Sequence, residues 1–369
     1  MMMGNADVDL QKNALLRQAL LATAVRQEKT LGTFTESSSP EAKTTRVKLF
    51  NTGIITKLCL TVTANVTIGT AVGTHSPKSP WNVIKSIKLT DFDGVDRVNC
   101  TGFQLWMLNC VRERTPAFIN NEGLASVSTL PKQPTAVATD DIKFYIEVPI
   151  AYDPERDLRG AILAQTAVGE MFLNITWNND FHQNGNDDGV YNGGATSTVT
   201  VNSISVVVDQ HYLMPQSVGG QTPLPLLDLM TVYELNGNLQ TTDNLANGAE
   251  RLIAYPNVRS VLGFYVNWLN NGAMANTISH FTLKANGNNI LHERLLEKQL
   301  QTQRKRINGD LKTGAFFYDH TARPIETAMY GNVQAGLTLS AAPTGTYYLE
   351  QMFESMYPKG SMLPGISQQ

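Results

Sequence analysis

Residues 278–318 read ISHFTLKANGNNILHERLLEKQLQTQRKRINGDLKTGAFFY. The opening run, Ile278–Ala285, has strand composition, and Asn286-Gly287 is a dipeptide that tolerates the positive φ of a hairpin turn. From Ile290 to Arg306 there is neither Gly nor Pro, and Leu, Glu, Lys, Gln and Arg dominate, which predicts a helix. Asn308-Gly309 ends it, and Ala315–Tyr318 returns to strand composition. The order is strand, hairpin-type turn, helix, strand.

The same order occurs once before. Ile84–Leu89 leads to Asp93-Gly94, a helix-compatible segment follows over Gly102–Arg112, and Phe144–Ile150 is the next strand. Gly287 follows Gly94 by 193 residues, far too long a period for a solenoid unit. Two copies of one β domain, each with a helix inserted between strands, account for the duplication.

The rest of the chain fits that frame. Val47–Phe50, Ile54–Val62, Val83–Leu89, Met171–Trp177 and Val199–Val208 join the first set of strands. Val258–Trp268, Gln334–Leu339 and Thr346–Tyr357 join the second. Asn184-Gly185, Asn236-Gly237 and Asn271-Gly272 read as further turns. Gly219, Gly220, Pro223 and Pro225 mark a linker, so the expected division is 1–40, 41–218 and 219–369. The first of these holds a helix over 8–30, then a loop from Gly32 to Pro40. Leu10, Ala14, Leu21 and Val25 share one side of that helix while Leu16 and Leu20 lie nearly opposite. Apolar residues on two sides call for two neighbours.

Composition narrows the function. The 369 residues are 42% hydrophobic but only 17% charged, against roughly a quarter in an average domain. A net charge of −3 and no basic arm argue against direct contact with nucleic acid. Cys59, Cys100 and Cys110 include no CxxC pair. Cys100 and Cys110, read as one helix, would stand about 15 Å apart, too far for a disulfide, so all three are expected as buried free thiols of a reducing cytosol. Asp7, Asp9, Lys12 and Arg17 interrupt the leading apolar run, unlike a secretory signal, and no window is apolar enough to span a bilayer.

Catalytic signatures are sparse. The six histidines, His75, His182, His211, His280, His292 and His320, form no metal-ligand spacing, and His292-Glu293 reads as the opening of a helix. Asp187-Asp188-Gly189 offers hard oxygens without the spacing of an EF-hand and reads as a polar loop. Nucleophile elbows, Walker loops and GxGxxG fingerprints do not occur, and helix or turn capping explains Asp153 and Asp157 as well as catalysis does. Neither a cofactor nor a metal is expected. Lys298, Arg304, Lys305 and Arg306 form the one basic cluster; they complement a helix C-terminus or serve an intersubunit salt-bridge patch, with phosphate binding a third reading.

Several stretches resemble the major capsid proteins of tectiviruses, bacteriophages with an icosahedral shell over an internal membrane. Val148-Pro149-Ile150-Ala151-Tyr152, then Asp157-Leu158 and Gly160-Ala161-Ile162-Leu163-Ala164, are similar to that family after a strand of its first jelly roll. Leu224-Pro225-Leu226-Leu227-Asp228-Leu229 with Val232-Tyr233 resembles its connection into the second. Gln303-Arg304-Lys305-Arg306-Ile307 and Tyr330-Gly331-Asn332-Val333 resemble two later stretches, all in the same order.

The resemblance implies an all-β chain of two tandem eight-stranded jelly rolls with an N-terminal helix and short inserted helices. It implies a homotrimer of hexagonal outline, a shell built with vertex and minor capsid proteins, no enzymatic activity, and residence in the host cytoplasm before assembly into the virion. It also implies that the leading helix lies near the internal membrane, where Lys12, Arg17 and Arg26 would meet anionic headgroups beside Leu15, Leu16 and Leu20. The rivals are a carbohydrate-binding or carbohydrate-cleaving β-sandwich and a trimeric spike. The first wants exposed aromatic residues in a groove, whereas Trp81, Trp106, Trp177 and Trp268 sit in or beside apolar runs suited to a core.

Overall fold

A computed structural model describes residues 5–37, 39–69, 74–114, 138–167, 169–183, 189–192, 199–242, 249–270, 273–287, 289–330, 332–340 and 347–359. Asn184-Gly185, Asp187-Asp188 and Asn271-Gly272 lie outside the described residues.

The first half has eight principal strands: β1 (Val25–Ser37), β2 (Thr44–Lys48), β3 (Ile54–Ile68), β4 (Ile84–Thr90), β5 (Asp96–Cys100), β6 (Ala138–Pro149), β7 (Phe172–Trp177) and β8 (Val199–Met214). The second half has eight more: β9 (Thr231–Thr242), β10 (Glu250–Ala254), β11 (Ser260–Asn270), β12 (Ile278–Ala285), β13 (Asn289–Leu295), β14 (Ala315–Asp319), β15 (Val333–Leu339) and β16 (Tyr347–Pro358). Among the described residues four α-helices punctuate them: α1 (Asn5–Thr23), α2 (Gly102–Glu113), α3 (Leu226–Leu229) and α4 (Leu296–Ile307).

Strand order repeats. The first half forms layers β1-β8-β3-β6 and β2-β7-β4-β5; the second forms β9-β16-β11-β14 and β10-β15-β12-β13. Each follows the order 1-8-3-6 over 2-7-4-5, with the long helix between the fifth and sixth strands. Pairing of strands from opposite ends of each half builds two layers that enclose an apolar interior between them. Inward residues alternate as the pleat demands: β7 alternates partly buried Phe172, Asn174 and Thr176 with buried Leu173, Ile175 and Trp177. All four tryptophans are buried, and Trp81 stacks on Trp106 at 4.2 Å. The groove of exposed aromatics that a carbohydrate binder needs is therefore not built from them.

The halves are joined edge to edge. β5 pairs in parallel with β9, Val98 opposite Leu235 and Asn99 opposite Asn236, so one layer of each half fuses into a single ten-stranded sheet. The core of the first half continues through the junction to Tyr233, Leu235, Tyr265 and Met352. Gly237 is required here. A Cβ at that position would stand 2.4 Å from Gln104 Oε1 of α2 and 3.1 Å from the Asn99 carbonyl oxygen.

Four expectations need correction. The helix expected over 8–30 ends at Thr23, and Val25–Ser37, including part of the expected Gly32–Pro40 loop, is β1. Its long ladder with β8 outweighs local propensity, and a bulge at Leu31 absorbs the break at Gly32. The helix expected over 290–306 begins only at Leu296, because β13 occupies Asn289–Leu295. Asn286 and Gly287 both have positive φ, 51° and 83°, and the tight turn they open returns the chain as an antiparallel strand, Asn289 pairing with Ala285. His292-Glu293 is consequently in a strand. Asn236-Gly237 is no turn but the middle of β9. Cys100 closes β5 while Cys110 lies in α2. All three cysteines are free and buried as expected, and burial pushes the Cys59 thiol up to about 11.

Candidate functional site

The densest polar constellation lies in the seam between the halves. Glu354 of β16, 2% exposed, accepts hydrogen bonds from the Tyr233 hydroxyl (2.8 Å), the Tyr265 hydroxyl (2.8 Å) and Arg112 Nη2 of α2 (3.1 Å). Burial pushes both tyrosine hydroxyls far above their usual range, so they act as neutral donors. Four residues earlier on the same face of β16, Glu350 accepts from Lys78 Nζ at 2.9 Å and Asn267 Nδ2 at 3.1 Å. Gln104 Nε2 donates to the Gln351 carbonyl at 2.9 Å. Arg112, Lys78 and Gln104 come from the first half and their acceptors from the second. These carboxylates are saturated by fixed donors, an arrangement that locks two units in one orientation and leaves none poised for proton transfer.

Sequence reading missed this seam. The available signal was Glu350 and Glu354 inside an otherwise apolar strand, since buried carboxylates demand buried cations.

Beside the seam is a cleft of about 790 Å³ whose lining includes Lys57, Arg112, Glu147, Tyr152, Arg306 and Asp319, charges of both signs. Asp153 caps a turn by accepting from the backbone N–H of Glu155 and Arg156, and Asp157 grips Arg159 through both oxygens. Of the two readings the sequence left open for them, these contacts are those of turn caps. Among the described residues no cluster of three or more His, Cys, Asp or Glu could hold a metal ion.

The leading helix closes one end of the first half. Leu20 is fully buried with Ile54, Leu158 and Leu213, and Leu16 is partly buried. Asn13 Nδ2 donates to Asp228 Oδ1 at 2.9 Å and its Oδ1 accepts from the Leu227 N–H, tying α1 to α3. Arg17 lies 3.4 Å from Asp228 and 3.6 Å from Asp157. Arg26 pairs with Glu155. These two arginines are therefore engaged within the chain, whereas Lys12 is exposed, as are Leu10 (61%) and Leu15 (66%). Leu226, Leu227 and Met230 in and beside α3 are exposed as well. Of the two apolar sides read from the sequence, Leu16 and Leu20 face the domain end, but Leu21 of the other side packs there as well, and Val25 lies in β1 rather than in the helix. No described helix is long and apolar enough to cross a membrane.

The basic cluster divides. Arg304 pairs with Asp310 just past the helix end and Arg306 meets Asp319 at 2.5 Å, while Lys298 and Lys305 are exposed. Two of its four charges thus serve the chain's own helix terminus and strand.

The P3 major capsid protein N-terminal family model matches residues 27–215, and the P3 major capsid protein C-terminal model matches residues 230–353. The major capsid protein P3 of Enterobacteria phage PRD1 is 27% identical over 302 residues, covering 77% of this chain and 75% of its own. Two solved structures share the fold. The STIV MCP matches with a TM-score of 0.68 and 12% identity, over 93% of this chain and 100% of its own. The PBCV-1 virus capsid matches with a TM-score of 0.56 and 11% identity, over 90% and 94%. The architecture is the double jelly roll.

Proposed function

The chain belongs to the phage P3 major capsid protein family, and from that premise we infer that its capsomer is a homotrimer of hexagonal outline lining an icosahedral shell over an internal membrane. It is a structural major capsid protein, not an enzyme, and its place is the virion capsid. The observation behind the trimer is the strand order used twice. Six similar β units from three chains tile a hexagonal footprint, and heterologous contacts close a ring only at a fixed number of copies. The first unit takes in β1 to about residue 218 and the second runs from 219; of residues 1–40, only α1 stands outside them. The soluble capsomer forms in the host cytoplasm and meets vertex and minor capsid proteins there, without direct contact with nucleic acid.

Native mass spectrometry tests this reading: a species near three times 40.5 kDa is expected, and a stable monomer at micromolar concentration overturns it.

The exposed residues of α1, Leu10, Lys12 and Leu15, are the part that faces the membrane. Lys12 supplies roughly 1 kcal/mol at an anionic surface, so adhesion comes from many copies acting together. Leu10→Glu with Leu15→Glu leaves the buried side of α1 intact. Trimers should form normally while membrane-filled particles drop at least tenfold in yield; undiminished particles refute the role.

A further inference from the structure

The junction within the chain supplies a template for the junction between chains. β9 is the first strand of its unit, and its outer edge is filled by β5 and the start of α2, which approach closely at Gly237. β1 is the first strand of the other unit, and among the described residues it pairs with β8 alone. Val25–Thr30 are all exposed, on both faces of the strand.

The two strands can be superposed by register. Thr231 pairs with Pro358 and Gly237 with Met352; Val25 pairs with Met214 and Gly32 with Val208. Each glycine lies opposite the sixth residue back along its partner strand, and the bulge at Leu31 absorbs the one additional residue of β1. Gly32 thus stands where Gly237 stands. Around Gly237 a Cβ would collide with α2, whereas around Gly32 the atoms within reach belong to Phe34 of the same strand. At β1 no described residue other than Phe34 comes within 4 Å of that point, which α2 and β5 fill at β9.

The complementary edge is also free. β5 is the fifth strand of its unit, and its counterpart β13 pairs with β12 alone among the described residues. Leu291 and Leu295 on β13 are exposed, and so is Ile290; an apolar, unprotected edge is a template for another strand. α2 follows its cap residue Thr101 and α4 follows its cap residue Leu295. Counting back from the caps places Glu293 where Asn99 stands. Likewise Thr30 stands where Asn236 stands, because each lies opposite the fifth residue back along its partner strand.

We propose that β13 and the start of α4 of one copy dock in parallel against β1 of the next, Glu293 beside Thr30, repeating the β5–β9 junction. Three copies joined head to tail in this way close a ring of six β units with six alike seams. β1 differs from β9 in one respect. Lys29 is exposed where Leu235 is buried, so the seam between chains is the more polar, as suits a surface that meets water before assembly.

This inference rests on the trimer proposed above, and one experiment separates the two. Thr30→Cys and Glu293→Cys in the same chain place thiols on neighbouring strands, which lie about 4.8 Å apart, within disulfide reach. The three native cysteines are buried and do not compete. After mild oxidation, most chains should run as a covalent three-chain species on a non-reducing denaturing gel, and each single variant should run as a monomer. A native trimer whose double-variant chains still run as monomers overturns this interface and leaves the trimer standing. Absence of any trimer in the native mass spectrum overturns both.

Discussion

Replacing Arg112 by Met is expected to destabilise the protein by about 3–5 kcal/mol, because it strands Glu354 in the seam without its cation. The carboxylate is 2% exposed and would keep only the two tyrosine hydroxyls. Met matches the guanidinium stem in volume and leaves the α2 backbone undisturbed, so the loss reports the uncompensated charge more than lost packing. Arg112→Met combined with Glu354→Gln should recover most of it, since a neutral amide still accepts from one tyrosine and has far less to lose on burial. Urea unfolding at one fixed protein concentration measures both, because assembly raises apparent stability by mass action. Equal midpoints for wild type and Arg112→Met would mean that Glu354 holds no charge in the seam and that no buried ion pair locks the two halves there.

The seam also marks what was legible in the sequence. Strand composition and turn dipeptides located eleven of the sixteen principal strands, and the repeated strand–turn–helix–strand order disclosed the duplication. The five strands missed have physical reasons. β1 and β13 were absorbed into neighbouring helices, because Arg26, Gln27, Glu28 and Lys29, and Glu293 and Arg294, are good helix formers that only a ladder overrules. Asn286-Gly287 already specified the return strand, so β13 was recoverable from turn chemistry. β5, β9 and β10 are short or polar, and Asn236-Gly237 imitates a turn inside β9. Its glycine answers to the approach of α2, a contact between residues far apart in the chain. The surroundings of α1 were half legible. A leading helix was visible, but the partners of Arg17 and Arg26, Asp157, Asp228 and Glu155, lie at least 120 residues away.

Acid should loosen the second jelly roll before the first. His320 is buried, its Nε2 lies 3.1 Å from the Tyr255 hydroxyl, and burial, with His292 nearby, lowers its pKa from 6.5 to about 4. His292 on β13 is lowered to about 4 as well, by burial and then by Arg294. Above pH 6.5 both imidazoles are neutral in the folded and the unfolded chain, and neither affects stability. Between pH 6.5 and 4 the unfolded chain takes up protons that the folded chain refuses, so stability falls as pH falls. For His320 the full loss is about 3 kcal/mol, reached near pH 4. His320→Gln keeps a hydrogen-bonding group beside Tyr255 but cannot charge, so its thermal midpoint should decline less between pH 7 and 4.5 than that of wild type. Parallel declines would remove His320 as the cause and return acid sensitivity to the carboxylates, such as Glu250, whose hydrogen bonds from Lys284 and Thr282 outweigh its burial and hold its pKa low. Because His292 lies on β13, the strand proposed to dock against the next copy, protonation there loosens the same edge. Dissociation of trimers should therefore begin at a higher pH than unfolding of the first unit, a sequence that native mass spectrometry and near-UV circular dichroism resolve on one sample.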